Sequence, residues 1–266
     1  MKKIISIFMS IVMLFSVLAG VNITAQAADE INIGQEYNVV FTGLPYAPEQ
    51  TKSFTFTMPS GGYIYYKVVP KYYNMIDEEG GVYSYDNFYL PETKLTYNYK
   101  EYEKETSIMY GESWKSAPIA LKKGAKITIS LTDRIGENEE SCYGLKVFFK
   151  KVKNFEKESN NNKKNATKMK LSTTYTGISL EDDNDWWVFT APKTGKYKIS
   201  AAEINDGFYH VVRVYKGSKL LSHKTIYSND GFTTCFKGEL KKGQKIYVLL
   251  DGGVQNEVYK IRVKSV

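Results

Sequence analysis

Apolar and polar residues alternate along most of this chain. Phe54, Phe56 and Met58 alternate with Ser53, Thr55 and Thr57, and Ile127, Ile129 and Leu131 alternate with Lys126, Thr128 and Ser130. Ile246, Val248 and Leu250 share one phase, while Tyr247 and Leu249 take the other. A period of two with one apolar face predicts half-buried antiparallel strands. Glycine turns at Gly61-Gly62, Lys123-Gly124, Thr194-Gly195 and Lys242-Gly243 punctuate these runs. Tyr, Val, Thr and Ile dominate between the turns, as strands prefer. No sustained helical period follows residue 27. Many short strands with regular turns predict an all-β chain, with a sandwich or barrel in each half.

The two halves repeat one another. Phe56-Thr57-Met58-Pro59 is matched by Phe189-Thr190-Ala191-Pro192, and each is followed by a glycine turn and a tyrosine. Leu121-Lys122-Lys123-Gly124 is matched by Leu240-Lys241-Lys242-Gly243. Tyr143-Gly144-Leu145-Lys146-Val147 is matched by Tyr259-Lys260-Ile261-Arg262-Val263. The matches keep their order, which is the signature of a duplicated unit. The predicted division is residues 28–152 and 153–266. The boundary is the polar run around Asn160-Asn161-Asn162-Lys163-Lys164-Asn165, either a tether or a segment ordered by a metal. The first half is longer between its landmarks, so it carries an insertion. More than half of the chain's 22 tyrosines lie between residues 63 and 110. An alternating strand buries only half of such a set, and exposed aromatics mark binding surfaces; tyrosine as a plain strand residue covering its cross-strand neighbours is the alternative. Tyr72, Tyr73, Tyr97 and Tyr99 are the candidates there, and Tyr247, out of phase with its core neighbours, is the candidate in the second half.

Residues 1–27 read as an export signal. Lys2 and Lys3 precede an apolar run from Ile4 to Leu18, and Ala25-Gln26-Ala27 is a small-x-small cleavage site. The run is too short for a membrane anchor, so no membrane span is expected after cleavage. The expected location is extracellular, free or held non-covalently at a cell surface. The net charge of +7 loses two lysines with the signal. Lysines are spread along the chain, which suits solubility and gives no basic cluster for nucleic acid. Cys142 and Cys235 fall in different halves at non-equivalent positions. A disulfide across the halves and two half-buried thiols are both open readings.

An oxygen-rich array flanks the boundary. Glu156, Glu158 and Asn160 are followed, some twenty residues on, by Asp182, Asp183 and Asp185 in Leu180-Glu181-Asp182-Asp183-Asn184-Asp185-Trp186-Trp187. Calcium takes six to eight such oxygens, and two segments can meet to supply them. A solvated acidic turn needs no metal and is the plainer alternative.

Glu-x-Glu-x-Asn, a threonine- and glycine-containing strand, and then Asp-x-x-Asp-aromatic-aromatic-x-Phe-x-x-Pro-x-x-Gly-x-Tyr resemble the bacterial pre-peptidase C-terminal domain, a family that includes the collagen-binding domains of clostridial collagenases. The resemblance covers residues 154–266. It implies two tandem jelly-roll-like antiparallel β-sandwich domains, with residues 29–152 a diverged copy that lacks the acids. It also implies Ca2+ held by Glu156, Glu158, Asn160, Asp182 and Asp185, and ligand contact through tyrosines such as Tyr247 on an open sheet face. Ser159 and Asn161 depart from the family's usual Pro and Asp, and the second change removes a charge.

Two histidines, His210 and His223, give little material for a His-based triad or zinc site. No phosphate loop, dinucleotide or nucleophile-elbow motif is present. The expectation is a non-catalytic secreted protein that attaches to an extracellular polymer or protein surface: collagen-like, cell-wall or glycan. The alternative is an accessory partner of a secreted peptidase or other hydrolase.

Overall fold

The computed structural model describes residues 28–43, 49–86, 88–97, 100–105, 111–180, 184–204, 209–252 and 257–266. Residues 1–27, expected from sequence to be an export signal, and Asp182 and Tyr99 lie outside these. No helix among the described residues is long and apolar enough to cross a membrane. Among the described residues, one 3-10 turn, Ser228–Asp230, interrupts an otherwise all-β structure.

Each half packs two sheets face to face. In the first half, one sheet runs β1 (Asp29–Glu30), β3 (Glu49–Thr57), β9 (Lys126–Arg134), β6 (Glu92–Tyr97), β7 (Lys100–Glu105). The other runs β2 (Glu36–Thr42), β10 (Glu139–Lys151), β4 (Gly62–Ile76), β5 (Val82–Tyr85), with β8 (Trp114–Lys115) also on β4. In the second half the first sheet is β11 (Thr167–Met169), β13 (Asn184–Thr190), β18 (Lys245–Gly252), β15 (Tyr209–Lys216), β16 (Lys219–Tyr227). Its partner sheet is β12 (Thr174–Ser179), β19 (Glu257–Ser265), β14 (Gly195–Glu203), β17 (Thr233–Leu240). With β8 on β4 matched to β17 on β14, the strand orders correspond, down to the short parallel pairs β1 with β3 and β11 with β13, and β5 is the strand without a counterpart. The fold is therefore a duplicated antiparallel sandwich, as the repeated sequence requires.

The repeated turns perform the same task twice. Gly124 and Gly243 sit at φ +82° and +80°, where a side chain would be strained. The Gly124 N–H reaches the Met58 carbonyl at 3.0 Å, and the Gly243 N–H reaches the Ala191 carbonyl at 2.8 Å. Met58 and Ala191 are the matched residues of the two Phe-Thr-x-Pro motifs. The turn thus ties β9 to the end of β3, and β18 to the end of β13.

Alternation converts directly into burial. Ile127, Ile129, Leu131, Ile246, Val248 and Leu250 are all fully buried, and Tyr247 points out of the core, half-exposed. Ile178 and Leu180, from the second half, belong to the apolar cluster of the first, with Phe155 and Val258 packed against it. The junction between the halves is therefore a packed apolar contact. Cys142 and Cys235 are separate, buried free thiols, which settles the alternative the spacing left open. Burial pushes the Cys235 thiol up to about 11, so it is protonated and unreactive at neutral pH.

The insertion of the first half is an extra hairpin. β4 runs on past the length of its counterpart β14, and β5 folds back along it, pairing Tyr73 with Tyr85 and Met75 with Tyr83.

Leu250→Ala should destabilise the protein by about 3 kcal/mol, since it opens a cavity between the sheets of the second half. Tyr247→Ala, one residue away on the outer face, should cost about 1 kcal/mol or less. Chemical denaturation of the two variants checks the assigned faces, and equal losses would contradict them.

Candidate functional site

The polar boundary segment is fastened at each step. The Glu156 N–H donates to the Thr176 carbonyl (3.0 Å), the Lys157 N–H to Thr167 Oγ1 (3.1 Å), and the Trp186 N–H to the Asn160 carbonyl (3.0 Å). Asn160 is fully buried and Glu156 nearly so, although both come from a sequence too polar to suggest it.

Glu156 is the hub. Its Oε1 accepts the Ile178 N–H at 2.6 Å, and its Oε2 accepts the Tyr259 hydroxyl at 2.9 Å and Asn160 Nδ2 at 3.3 Å. Tyr259 in turn accepts from Trp187 Nε1 at 2.8 Å. Gly177 makes this possible: a Cβ there would lie 2.3 Å from the Tyr259 hydroxyl and 2.7 Å from Glu156 Oε2. Burial, then the nearby Asp185 and Glu156 charges, raise the Tyr259 phenol well above its ordinary pKa, so it stays a neutral donor.

The structure brings Glu158 and Asp185 to the same place. One carboxylate oxygen from each of Glu156, Glu158 and Asp185 lies within 4.8 Å of the others. Asn160 Oδ1 is buried beside Glu156 with no hydrogen-bond partner among the described residues. Three carboxylates and an orphaned amide oxygen form an all-oxygen donor set, which fits a hard divalent cation. Four of the five residues expected from sequence are therefore gathered. Lys52 stands where Asp185 stands in the second half, counted from the matched Phe-Thr-x-Pro motifs, and its ammonium lies 5.6 Å from the centre of the Phe41 ring.

The candidate tyrosines divide. Tyr247 lies on the outer face of β18, where Trp186 and Tyr215 from β13 and β15 flank it. Lys163 Nζ sits 4.9, 4.5 and 5.9 Å from the ring centres of Trp186, Tyr215 and Tyr247, a shared cation–π contact. Tyr73 lines a cleft of about 330 Å3 formed with Met75, Tyr85, Phe88, Tyr89, Tyr143, Asp133 and Arg134. Asp133 Oδ2 accepts from Ser141 at 2.5 Å and Tyr143 at 2.8 Å, so the carboxylate is held in place at the cleft wall. Tyr72 does not line the cleft. It is half-buried, with its hydroxyl on Glu140 Oε1 at 2.9 Å, and burial followed by that hydrogen bond push its pKa up to about 12. Tyr97 packs partly buried against the core. Tyr85 and Tyr89 are the cleft aromatics that residue-by-residue reading passed over; the only signal for them was their place in the tyrosine-rich insertion.

No protein-family model matches the chain, and no curated protein matches it. Solved structures with a similar arrangement include the CUB1-EGF-CUB2 domains of rat MASP-1, at 10% identity over 88% of this chain and 99% of that one, TM-score 0.24. The tandem CBM22 domains of Paenibacillus barcinonensis Xyn10C are 8% identical over 88% and 92%, TM-score 0.26. Tripeptidyl peptidase 2 is 10% identical over 88% of this chain and 24% of its own, TM-score 0.29. Likeness of this order carries no functional argument, so function must be read from the site itself.

Tyr259→Phe keeps the ring and removes the hydroxyl that links Trp187 to Glu156. It should destabilise the protein by about 1–3 kcal/mol, the cost of leaving buried polar groups unpaired. Gly177→Ala should cost at least as much by overpacking. Denaturant midpoints check both, and wild-type stability in Tyr259→Phe would show that the hydroxyl is not the link.

Proposed function

We propose that this chain is a secreted, non-catalytic binding protein whose tandem sandwiches attach to an extracellular polymer or protein surface, with Ca2+ bracing the second. One observation carries the reading. Met75, Ile76, Val82, Tyr83, Tyr85 and Tyr89 are each more than two-fifths exposed, and all lie on or beside the β4–β5 hairpin that borders the cleft. Exposed apolar side chains gathered in this way mark interaction sites. Tyrosine offers rigid flat area for stacking and a hydroxyl for polar contact, which suits a sugar ring or a peptide side chain. Asp133 and Arg134 supply polar groups at the cleft wall. A single carboxylate lines the cleft among the described residues, whereas paired-carboxylate hydrolysis uses two. The Trp186, Tyr215 and Tyr247 face supplies a second aromatic surface.

In this reading Glu156, Glu158, Asn160 and Asp185 hold the calcium, with Asp182, three residues before Asp185 and outside the described residues, as the fifth expected ligand. The cation offsets the mutual repulsion of three acids and fixes the segment that joins the two sandwiches. Extracellular calcium is abundant enough to fill such a site, and the export signal supports that compartment.

Retention on insoluble glycan, cell wall and collagen tests the binding surface. Tyr85→Ala should weaken retention by about 2 kcal/mol with little loss of stability. The reading fails if neither Tyr85→Ala nor Tyr247→Ala changes retention on any polymer.

Calcium is tested separately. Millimolar Ca2+ should raise the melting temperature by mass action, and Asp185→Ala, compared with itself in chelator, should lose most of the rise. Proteolysis within residues 154–162 should be faster in chelator than in calcium. A wild-type melting temperature indifferent to calcium would remove the metal from the reading and leave the binding surface standing.

A further inference from the structure

A second cluster of metal-ligating side chains adjoins the Tyr259 ring through His210. Glu203 ends β14, His210 lies near the start of β15, and Glu257 opens β19. They are 2%, 0% and 2% exposed. One ligand atom from each lies within 4.8 Å of the other two. His210 Nδ1 contacts Glu203 Oε2 directly, and Glu203 Oε1 accepts the Ile204 N–H at 2.7 Å. The His210 ring stands edge-on to Tyr259, with centroids 5.3 Å apart.

Three observations set this cluster apart from an ordinary ion pair. Among the described residues, both carboxylate oxygens of Glu257 are buried with no hydrogen-bond partner, and so is His210 Nε2. Ser179, directly opposite Glu257 across the β12–β19 ladder, also buries its hydroxyl without a partner among the described residues. A neutral carboxyl or an amide would normally be buried with its hydrogen bonds made, since the unmade bond is costly. The groups converge from both sheets: Glu203 and Glu257 from one, His210 from the other.

We propose that Glu203, His210 and Glu257 form a structural site for a divalent transition ion of the zinc class. The donor set separates it from the first site. Glu156, Glu158, Asn160 and Asp185 offer oxygen alone, which suits calcium, whereas an imidazole with two carboxylates suits zinc. Two like-charged carboxylates and an imidazole in a closed apolar interior are held together by an ion that neutralises both acids at once. Such an ion clamps the two sheets at the end of the sandwich where β14, β15 and β19 meet. All three side chains are buried, which suits a structural role. Consistent with this, burial and the neighbouring Glu203 charge push the Glu257 carboxyl up to about 8, the position of an acid that lacks a compensating partner.

The test uses the full mature chain, stripped with chelator and then dialysed against zinc in saturating calcium. Elemental analysis should find one zinc per chain. Competition against a chromophoric zinc chelator should show Glu257→Gln weakening zinc by about tenfold or more, as loss of a ligand requires. His210→Asn should do the same. Asp185→Asn should lose the calcium response and keep the zinc. Because Glu257→Gln preserves shape and removes charge, it is expected to fold, and the wild-type stoichiometry decides the question even if it does not. Wild-type protein that retains no zinc overturns the proposal, as does zinc binding unchanged in both Glu257→Gln and His210→Asn.

Discussion

The arrangement of the second sandwich depends on one buried carboxylate. Glu156 belongs to the segment that joins the two halves, yet its oxygens are spent on β12 through the Ile178 N–H and on β19 through the Tyr259 hydroxyl. A charged group leaves water only when such partners are in place. Satisfying Glu156 therefore fixes the path of the joining segment, and with it Phe155, which packs on the core of the first half beside Ile178 and Leu180. Gly177 leaves the space in which this happens. The same anchoring brings Glu158 and Asn160 up against Asp185, so the oxygen-rich candidate site and the junction between the halves are one construction.

Duplication gave both halves the same frame, and the differences lie at matched positions. Tyr143 and Tyr259 occupy the same place in the last strand of each repeat, and both are buried. In the second half the hydroxyl serves Glu156 and the oxygen array. In the first it serves Asp133 and the wall of the aromatic cleft. Where the second half has Asp185, the first has Lys52, whose charge would oppose a cation. The first half instead carries the β4–β5 hairpin. One copy thus gathers oxygen donors around its buried tyrosine, while the other exposes aromatic surface.

The period-two pattern placed the strands, and the repeated Phe-Thr-x-Pro and Lys-Lys-Gly strings fixed the duplication, because both are local: a strand's faces and a turn's glycine follow from neighbours in sequence. The acid array was legible for the same reason, since Glu156, Glu158 and Asn160 are spaced along one extended segment. Tyr247 was legible from its phase. What only the tertiary structure decided depends on which strands become neighbours. Glu203, His210 and Glu257 each read as an unremarkable position at a strand end, and they meet because strands from opposite sheets converge there. Tyr72 and Tyr73 are adjacent in sequence, but only the hairpin's fold sends Tyr73 to the cleft and Tyr72 to Glu140. Cys142 and Cys235 were undecidable by spacing, because distance in sequence says nothing about distance between two sandwiches. Sequence specifies the faces of each strand; the packing of sheet on sheet specifies what each face meets.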